Sequence, residues 1–181
     1  MYRILVVGFF FILFPMGLVG CGGSSSGGGG QPDDVDPFNV ASQENGGVAT
    51  ATFDSENAGL VNDGSFNLID GVNAGLFWSG NIVGDSLTIE LDGDYLVAQV
   101  ILYTNGPNNT ETTLQYSADG VNFTNIKLLG GDCPSLALGS GRIHCTFSEA
   151  REMSHLRVVI NANPETVRLY ELLAIGIPAA N

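Results

Sequence analysis

Beyond residue 37 the chain alternates apolar and polar residues in short runs, as strands with one buried face do. In residues 86–91, for example, leucine or isoleucine fills every second position, and Thr88 and Glu90 lie between them. Strands are predicted at 47–53, 86–91, 95–104, 112–117, 123–129, 142–147, 155–161 and 167–176. No run has the spacing of an amphipathic helix. The pattern therefore predicts an all-β sandwich or barrel.

Two Asp-Gly dipeptides separate neighbouring runs, Asp92-Gly93 and Asp119-Gly120. Aspartate and glycine adopt the positive φ angles that tight hairpin turns need. We therefore expect each dipeptide to connect two antiparallel strands.

The N-terminus has the pattern of a secretion signal, because Arg3 is its only charge and an apolar run spans 4–19. That run closes on Leu18-Val19-Gly20-Cys21, which resembles the lipobox of bacterial lipoproteins. The resemblance implies a signal peptide over 1–20, a diacylglyceryl group on the Cys21 thiol and cleavage just before it. The alternative is a transmembrane anchor with an incidental cysteine.

The segment 21–36 is a Gly/Ser-rich linker, expected to be a flexible coil that lets the domain stand off from the bilayer. Residues 37–177 are long enough to form one domain with its own core. The expected location is the bacterial cell envelope. Gly22, in place of an aspartate after the lipidated cysteine, favours the outer membrane if the organism has one.

Composition argues against several functions. The chain carries 19 acidic and 6 basic residues, a formal net charge of −13, which disfavours binding to nucleic acid or to anionic membrane surfaces. The lipid anchor is the only membrane contact expected. With two histidines, and without a nucleophile elbow, a phosphate-binding loop or a zinc-spaced Cys/His cluster, the sequence does not predict an enzyme.

Once Cys21 is lipidated, Cys133 and Cys145 remain. An even pair in an exported protein predicts a disulfide, and closing a loop of that size contributes about 3 kcal/mol in the chain-entropy model. Two free thiols are the alternative.

Glu171 shares a predicted strand face with Leu169, Leu173 and Ile175, where an unpaired carboxylate is costly. The segment 67–73 offers further carboxylate and amide oxygens, Asp70 among them, in a Gly-bearing turn. Such hard oxygen ligands suit calcium. The alternative is that Glu171 lies at a solvent-exposed edge or pairs with an arginine such as Arg157.

Several motifs follow one another in the order and spacing of a known family. They are Asn67-Leu68-Ile69-Asp70-Gly71, Trp78-Ser79, the 87–91 strand, Tyr116-Ser117-Ala118-Asp119-Gly120-Val121-Asn122-Phe123, Leu156-Arg157-Val158 and Tyr170-Glu171-Leu172. From about Asn39 to Gly176 the chain resembles the discoidin, or coagulation factor V/VIII type C, domains. It departs from them between Asp70 and Trp78, which is one residue longer, and around Gly75 and Leu76, where a threonine is replaced.

The resemblance implies a galactose-binding-like jelly-roll β-sandwich following the signal peptide and flexible linker. It also implies a structural calcium ion. The ligands that it implies for that ion are Asn67, Asp70, Val72 or Asn73, and Tyr170 with Glu171. Trp78 is expected to pack in the core of the domain.

The resemblance implies ligand binding by loops at one end of the sandwich, often of galactosides or other glycans. The candidate loops are 79–85, 105–111 and 161–166, which supply Asn, Asp and Thr but no aromatic that the sequence identifies as exposed. The leading hypothesis is a tethered carbohydrate-binding module. The alternative is a structural or adhesion lipoprotein that holds a protein partner in the envelope or matrix.

Overall fold

The computed structural model describes residues 35–65, 67–69, 72–104, 112–126, 142–162 and 167–180. Residues 35–181 group as one compact unit. Its strands are β1 Phe38–Asn39, β2 Val48–Ala51, β3 Asn67–Ile69, β4 Val72–Ala74, β5 Ser86–Thr104, β6 Thr112–Ser117, β7 Thr124–Asn125, β8 Arg142–Ile160 and β9 Leu169–Pro178. Two short 3-10 turns span Gln43–Asn45 and Ser55–Val61.

The order of paired strands is β1-β9-β5-β8-β6-β7, and β2 pairs with β5 on a branch. β5 and β8 are long enough to serve two layers, and their register breaks between Glu90 and Tyr95. Sheet I comprises β2, the first part of β5, the second part of β8, β6 and β7. Sheet II comprises β1, β9, the second part of β5 and the first part of β8. β3 and β4 form a separate hairpin.

One buried cluster fills the space between the two sheets, and both parts of β5 contribute to it through residues such as Ile89 and Leu102. Its members alternate along each strand, as the sequence pattern requires. A smaller cluster of Ile101, Tyr103 and Tyr170, with Phe77 and Leu173 packed against it, covers part of the outer face of sheet II. The predicted all-β jelly-roll sandwich is confirmed.

The structure differs from the predicted strands in two places. Asp92-Gly93 does not close a hairpin but lies inside β5, where the strand bends from sheet I into sheet II, so 86–91 and 95–104 are one strand. The runs 142–147 and 155–161 likewise belong to one strand, β8. Asp119-Gly120 does connect the antiparallel strands β6 and β7, and Gly120 has a φ of 70°.

Residues 1–34, with the predicted signal peptide, Cys21 and most of the linker, lie outside the described residues. Over the part of the chain that the structure describes, no helix has both the length and the hydropathy needed to cross a bilayer.

Candidate functional site

Glu171 is buried on β9, opposite Tyr103 of β5, with none of its surface exposed. Its Oε1 accepts a hydrogen bond from the Gly64 backbone N–H at 3.3 Å, while Oε2 has no hydrogen-bond partner among the described residues. Burial first, and then the charge of Asp63, raise the pKa of this carboxyl to about 8. A buried oxygen without a donor is an acceptor available to a cation.

Both alternatives considered for Glu171 are wrong. Its side chain is not at a solvent-exposed edge, and Arg157 stacks on Phe123 instead of pairing with it. The predicted strand face also changes, because the pairing of β5 with β9 shifts at Tyr170. Leu169 therefore belongs to the main core, whereas Leu173 packs with the outer cluster of sheet II.

The Asp63-Gly64 pair, which is not among the predicted ligands, lies against Glu171. Asp63 and Gly64 directly follow the 3-10 turn Ser55–Val61 and Asn62. Gly64 has a φ of 76°, and the Asp63 Oδ1 accepts from the Ser65 N–H at 2.7 Å. Asp63-Gly64 is the same dipeptide as Asp70-Gly71, so no local feature of the sequence singles out Asp63 as a neighbour of Glu171.

The predicted ligands other than Glu171 are placed as follows. Asp70 lies outside the described residues, and Asn67, Val72 and Asn73 belong to the β3–β4 hairpin. Tyr170 is buried with its ring 5.7 Å from that of Phe77. Among the described residues no three His, Cys, Asp or Glu side chains gather where they could hold a metal ion. The calcium site therefore stays a prediction.

A pocket of about 250 Å³ opens beside this turn. Its lining residues are Leu60, Asp63, Ser65, Gly75 and Leu76. Leu76 is largely exposed. The lining thus combines one carboxylate with apolar surface.

Trp78 is wholly buried, as expected for a core residue, and its backbone pairs with Leu169. Its indole N–H donates to the Phe53 carbonyl oxygen at 2.7 Å. Phe53 follows β2 at the end of sheet I where β5 begins, and 44% of its surface is exposed. The sequence pattern predicts Phe53 inside the 47–53 strand and so gives no sign that this aromatic is exposed.

The loop 79–85 lies at the same end of sheet I and is held by Asp85. The Asp85 carboxylate accepts from the backbone N–H groups of Asn81 and Ile82 at 2.7 and 2.9 Å, and from the Thr52 hydroxyl at 3.3 Å. These hydrogen bonds, led by that from Ile82, lower the pKa of Asp85. The loop therefore has a fixed backbone, while Ile82 and Val83 are largely exposed.

Of the other predicted ligand loops, 105–111 and 163–166 lie outside the described residues. Asn161 is exposed at the end of β8, and its amide donates to the Thr113 hydroxyl at 2.6 Å. Since Ile160 pairs with Thr112 and hydrogen-bonds to Gly84 and Asp85, this side chain lies at the same end of sheet I as the loop 79–85.

Cys145 is buried on β8 and disulfide-bonded. Cys133 lies outside the described residues, so the pairing of Cys133 with Cys145 stays a prediction.

No protein-family model matches the chain, and no curated protein matches it. Solved structures do. CpGH89CBM32-5 from Clostridium perfringens, in complex with GalNAc-β-1,3-galactose, is 20% identical over 71% of this chain and 94% of that module, with a TM-score of 0.52. The family 32 carbohydrate-binding module of C. perfringens NanJ, in complex with galactose, is 14% identical over 77% and 98%, with a TM-score of 0.54.

Chitosan-binding module 1 of a chitosanase/glucanase from Paenibacillus sp. IK-5 is 22% identical over 76% of this chain and 98% of that module, with a TM-score of 0.53. At such low identity these similarities establish the fold that the chain shares with these modules, the galactose-binding-like β-sandwich.

Proposed function

We propose that this protein is a non-catalytic carbohydrate-binding module, tethered outside the cytoplasm by a lipid on Cys21. The observation that carries the proposal is the exposed Phe53 ring beside the Asp85-anchored loop, at one end of a fold shared with glycan-binding modules. An aromatic platform next to fixed polar groups is the usual composition of a sugar site.

The geometry supports a shallow site. Phe53 offers an apolar ring to the face of a sugar, and Asn161 offers an exposed polar side chain for hydroxyl groups at the same end. Because Asp85 already holds the loop 79–85, binding loses little conformational entropy in ordering this loop. Galactose, GalNAc-β-1,3-galactose and chitosan, the ligands named for the similar modules, are the first sugars to test.

Calcium is proposed as a structural ion that bridges the Asp63 turn and β9. Glu171 and Asp63 would hold it together with oxygens of the predicted 67–73 segment, Asp70 included. The unpartnered Glu171 Oε2 fits a hard cation, since oxygen ligands are those that calcium prefers. When bound, the ion supplies positive charge that neutralises a carboxylate in a buried place.

The glycan proposal is tested by titrating the secreted domain with the three sugars and repeating the titration with Phe53→Ala. We expect the variant to lose at least tenfold in affinity, and Phe53→Tyr to keep it. Val121→Ala is the matched control, because Val121 is an exposed apolar residue in the β6–β7 turn, at the opposite end of sheet I. Unchanged affinity in Phe53→Ala would place the site elsewhere.

A second candidate is the adhesion lipoprotein that binds a protein partner. It is favoured by Ile82 and Val83, two exposed apolar side chains on a rigid loop. If all three sugars fail while Ile82→Asp with Val83→Asp abolishes retention of the domain on cell-envelope protein, this candidate replaces the first.

A further inference from the structure

A row of polar side chains crosses the outer face of sheet I, away from the loop end. Strand register aligns Thr50 with Thr88, Thr88 with Arg157, Arg157 with Gln115, and Gln115 with Asn125. At about 4.8 Å between strands, the row spans about 19 Å. We call it the polar row.

Arg157, at the centre of the row, is held in one orientation. Its guanidinium carbon lies 3.4 Å from the centroid of the Phe123 ring, and its Nε donates to the Thr88 hydroxyl at 3.0 Å. Stacking on an aromatic ring and one hydrogen bond fix the plane of the group, so little side-chain entropy remains to be lost on binding.

The terminal nitrogens of Arg157 have no protein acceptor among the described residues, because stacking on Phe123 and the bond to Thr88 are its only interactions there. The chain has 19 acidic residues, yet none of those described pairs with this arginine. The two nitrogens can present the planar fork that binds a carboxylate in a bidentate manner.

The neighbours of Arg157 in the row suit a sugar chain. The Gln115 side-chain amide donates to the Asn125 side-chain oxygen Oδ1 at 2.8 Å, which leaves the Asn125 side-chain NH₂ group for a ligand. Thr50 and Asn125 are exposed at the two ends. Hydroxyl and amide groups on both sides of one cation match hydroxyl groups on both sides of one carboxylate.

We infer that the polar row is a second glycan site, which binds an oligosaccharide containing a uronic acid with its carboxylate on Arg157. This inference rests on the proposed function but uses a different surface. The net charge of −13 does not preclude it, because at physiological ionic strength charges beyond about 8 Å are screened while a direct ion contact persists.

The test uses two ligands that differ only at C6 of each sugar, β-1,4-linked tetramannuronate and β-1,4-mannotetraose, titrated into the full mature protein. We expect tetramannuronate to bind at least tenfold more tightly than mannotetraose. Arg157→Gln should lose that difference, and Arg157→Lys should lose most of it because an ammonium lacks the fork. Equal binding of tetramannuronate to wild type and Arg157→Gln, or no binding to wild type, would overturn the inference.

Asn125→Asp is a second variant that should leave the fold intact. An aspartate keeps the acceptor used by Gln115 but adds a negative charge at an exposed position. It should weaken tetramannuronate binding severalfold, and no weakening would count against the row. Tetramannuronate binding to Phe53→Ala separates the two sites, because this variant alters only the loop-end site. If neutral sugars never bind but tetramannuronate binding depends on Arg157, the loop-end site fails and the polar row stands; the converse result removes the polar row alone.

Discussion

Two carboxylates with almost no solvent exposure, Asp85 and Glu171, have pKa shifts in opposite directions. Asp85 accepts two backbone N–H bonds and a hydroxyl bond, and its pKa is lowered. Glu171 accepts one long N–H bond, leaves Oε2 without a described partner, and has its pKa raised to about 8. At Asp85 the backbone N–H donors outweigh the cost of desolvation, whereas at Glu171 desolvation and the charge of Asp63 outweigh the single N–H donor.

The difference distinguishes Asp85, a carboxylate with a structural role, from Glu171, a carboxylate whose hydrogen-bonding capacity is only partly used. Asp85 is satisfied by its own chain and fixes the loop 79–85. Glu171 is costly in the folded protein unless it is protonated or bound to a cation. The comparison predicts that removing Asp85 destabilises the domain, whereas neutralising Glu171 removes both the gain that calcium gives and the cost of its buried charge.

The largest effect is expected for Asp85→Ala. Two backbone N–H groups of the loop and the Thr52 hydroxyl lose their charged acceptor, which should lower the free energy of unfolding by about 3 kcal/mol. Urea unfolding at pH 7 measures it. Asp94→Ala is the control, because Asp94 is exposed at the bend of β5 and its substitution should cost less than about 0.5 kcal/mol. Equal stability of the two variants would contradict the anchoring role.

A slightly smaller effect is expected from calcium acting through Glu171. At a calcium concentration a hundredfold above the dissociation constant, the ion should stabilise the wild-type domain by about 2.7 kcal/mol. Glu171→Gln should abolish this gain and Asp63→Asn should reduce it, whereas Asp85→Asn should leave it unchanged. Thermal melts with calcium and with chelator measure the gain. A chelator-insensitive wild type would remove the calcium proposal.

The fold was predictable because alternation of apolar residues reports directly on which strand face is buried. Residues 112–117 appear as β6 with those bounds. Local pattern does not report where a strand changes sheets, however, so it predicts a hairpin turn at Asp92-Gly93, which is a bend within β5. An Asp-Gly dipeptide suits a hairpin turn and a bend within a strand equally well. Only the long-range pairing of β5 with β8 and β9 distinguishes the two.

The candidate sites were less predictable for the same physical reason. The buried state of Glu171 could be inferred from its apolar neighbours, but its partner could not, since Asp63-Gly64 and Asp70-Gly71 look alike in sequence. Phenylalanine is a residue type that is common in strands, and the exposure of Phe53 depends on β2 ending at Ala51. The polar row depends on register across five strands, which no local pattern specifies.

Counted per pH unit, the smallest effect is in the pH dependence of stability without calcium. Because folding raises the pKa of Glu171 from an ordinary 4.5 to about 8, the folded state holds this proton more tightly than the unfolded state. The contribution of Glu171 is therefore complete below about pH 4.5 and is lost progressively as the pH rises to 8, by at most about 1.4 kcal/mol per pH unit. Asp85 has the opposite sign, since its contribution is lost only as the pH falls below 3.8.

Urea unfolding in chelator between pH 4.5 and 9 measures this dependence as the difference between wild type and Glu171→Gln, so that all other titrating groups cancel. We expect wild-type stability to fall relative to the variant as the pH rises, and the difference between Asp85→Asn and wild type to stay flat over the same range. Parallel profiles for wild type and Glu171→Gln would show that Glu171 titrates alike in the folded and unfolded states, which its burial without a second donor does not allow.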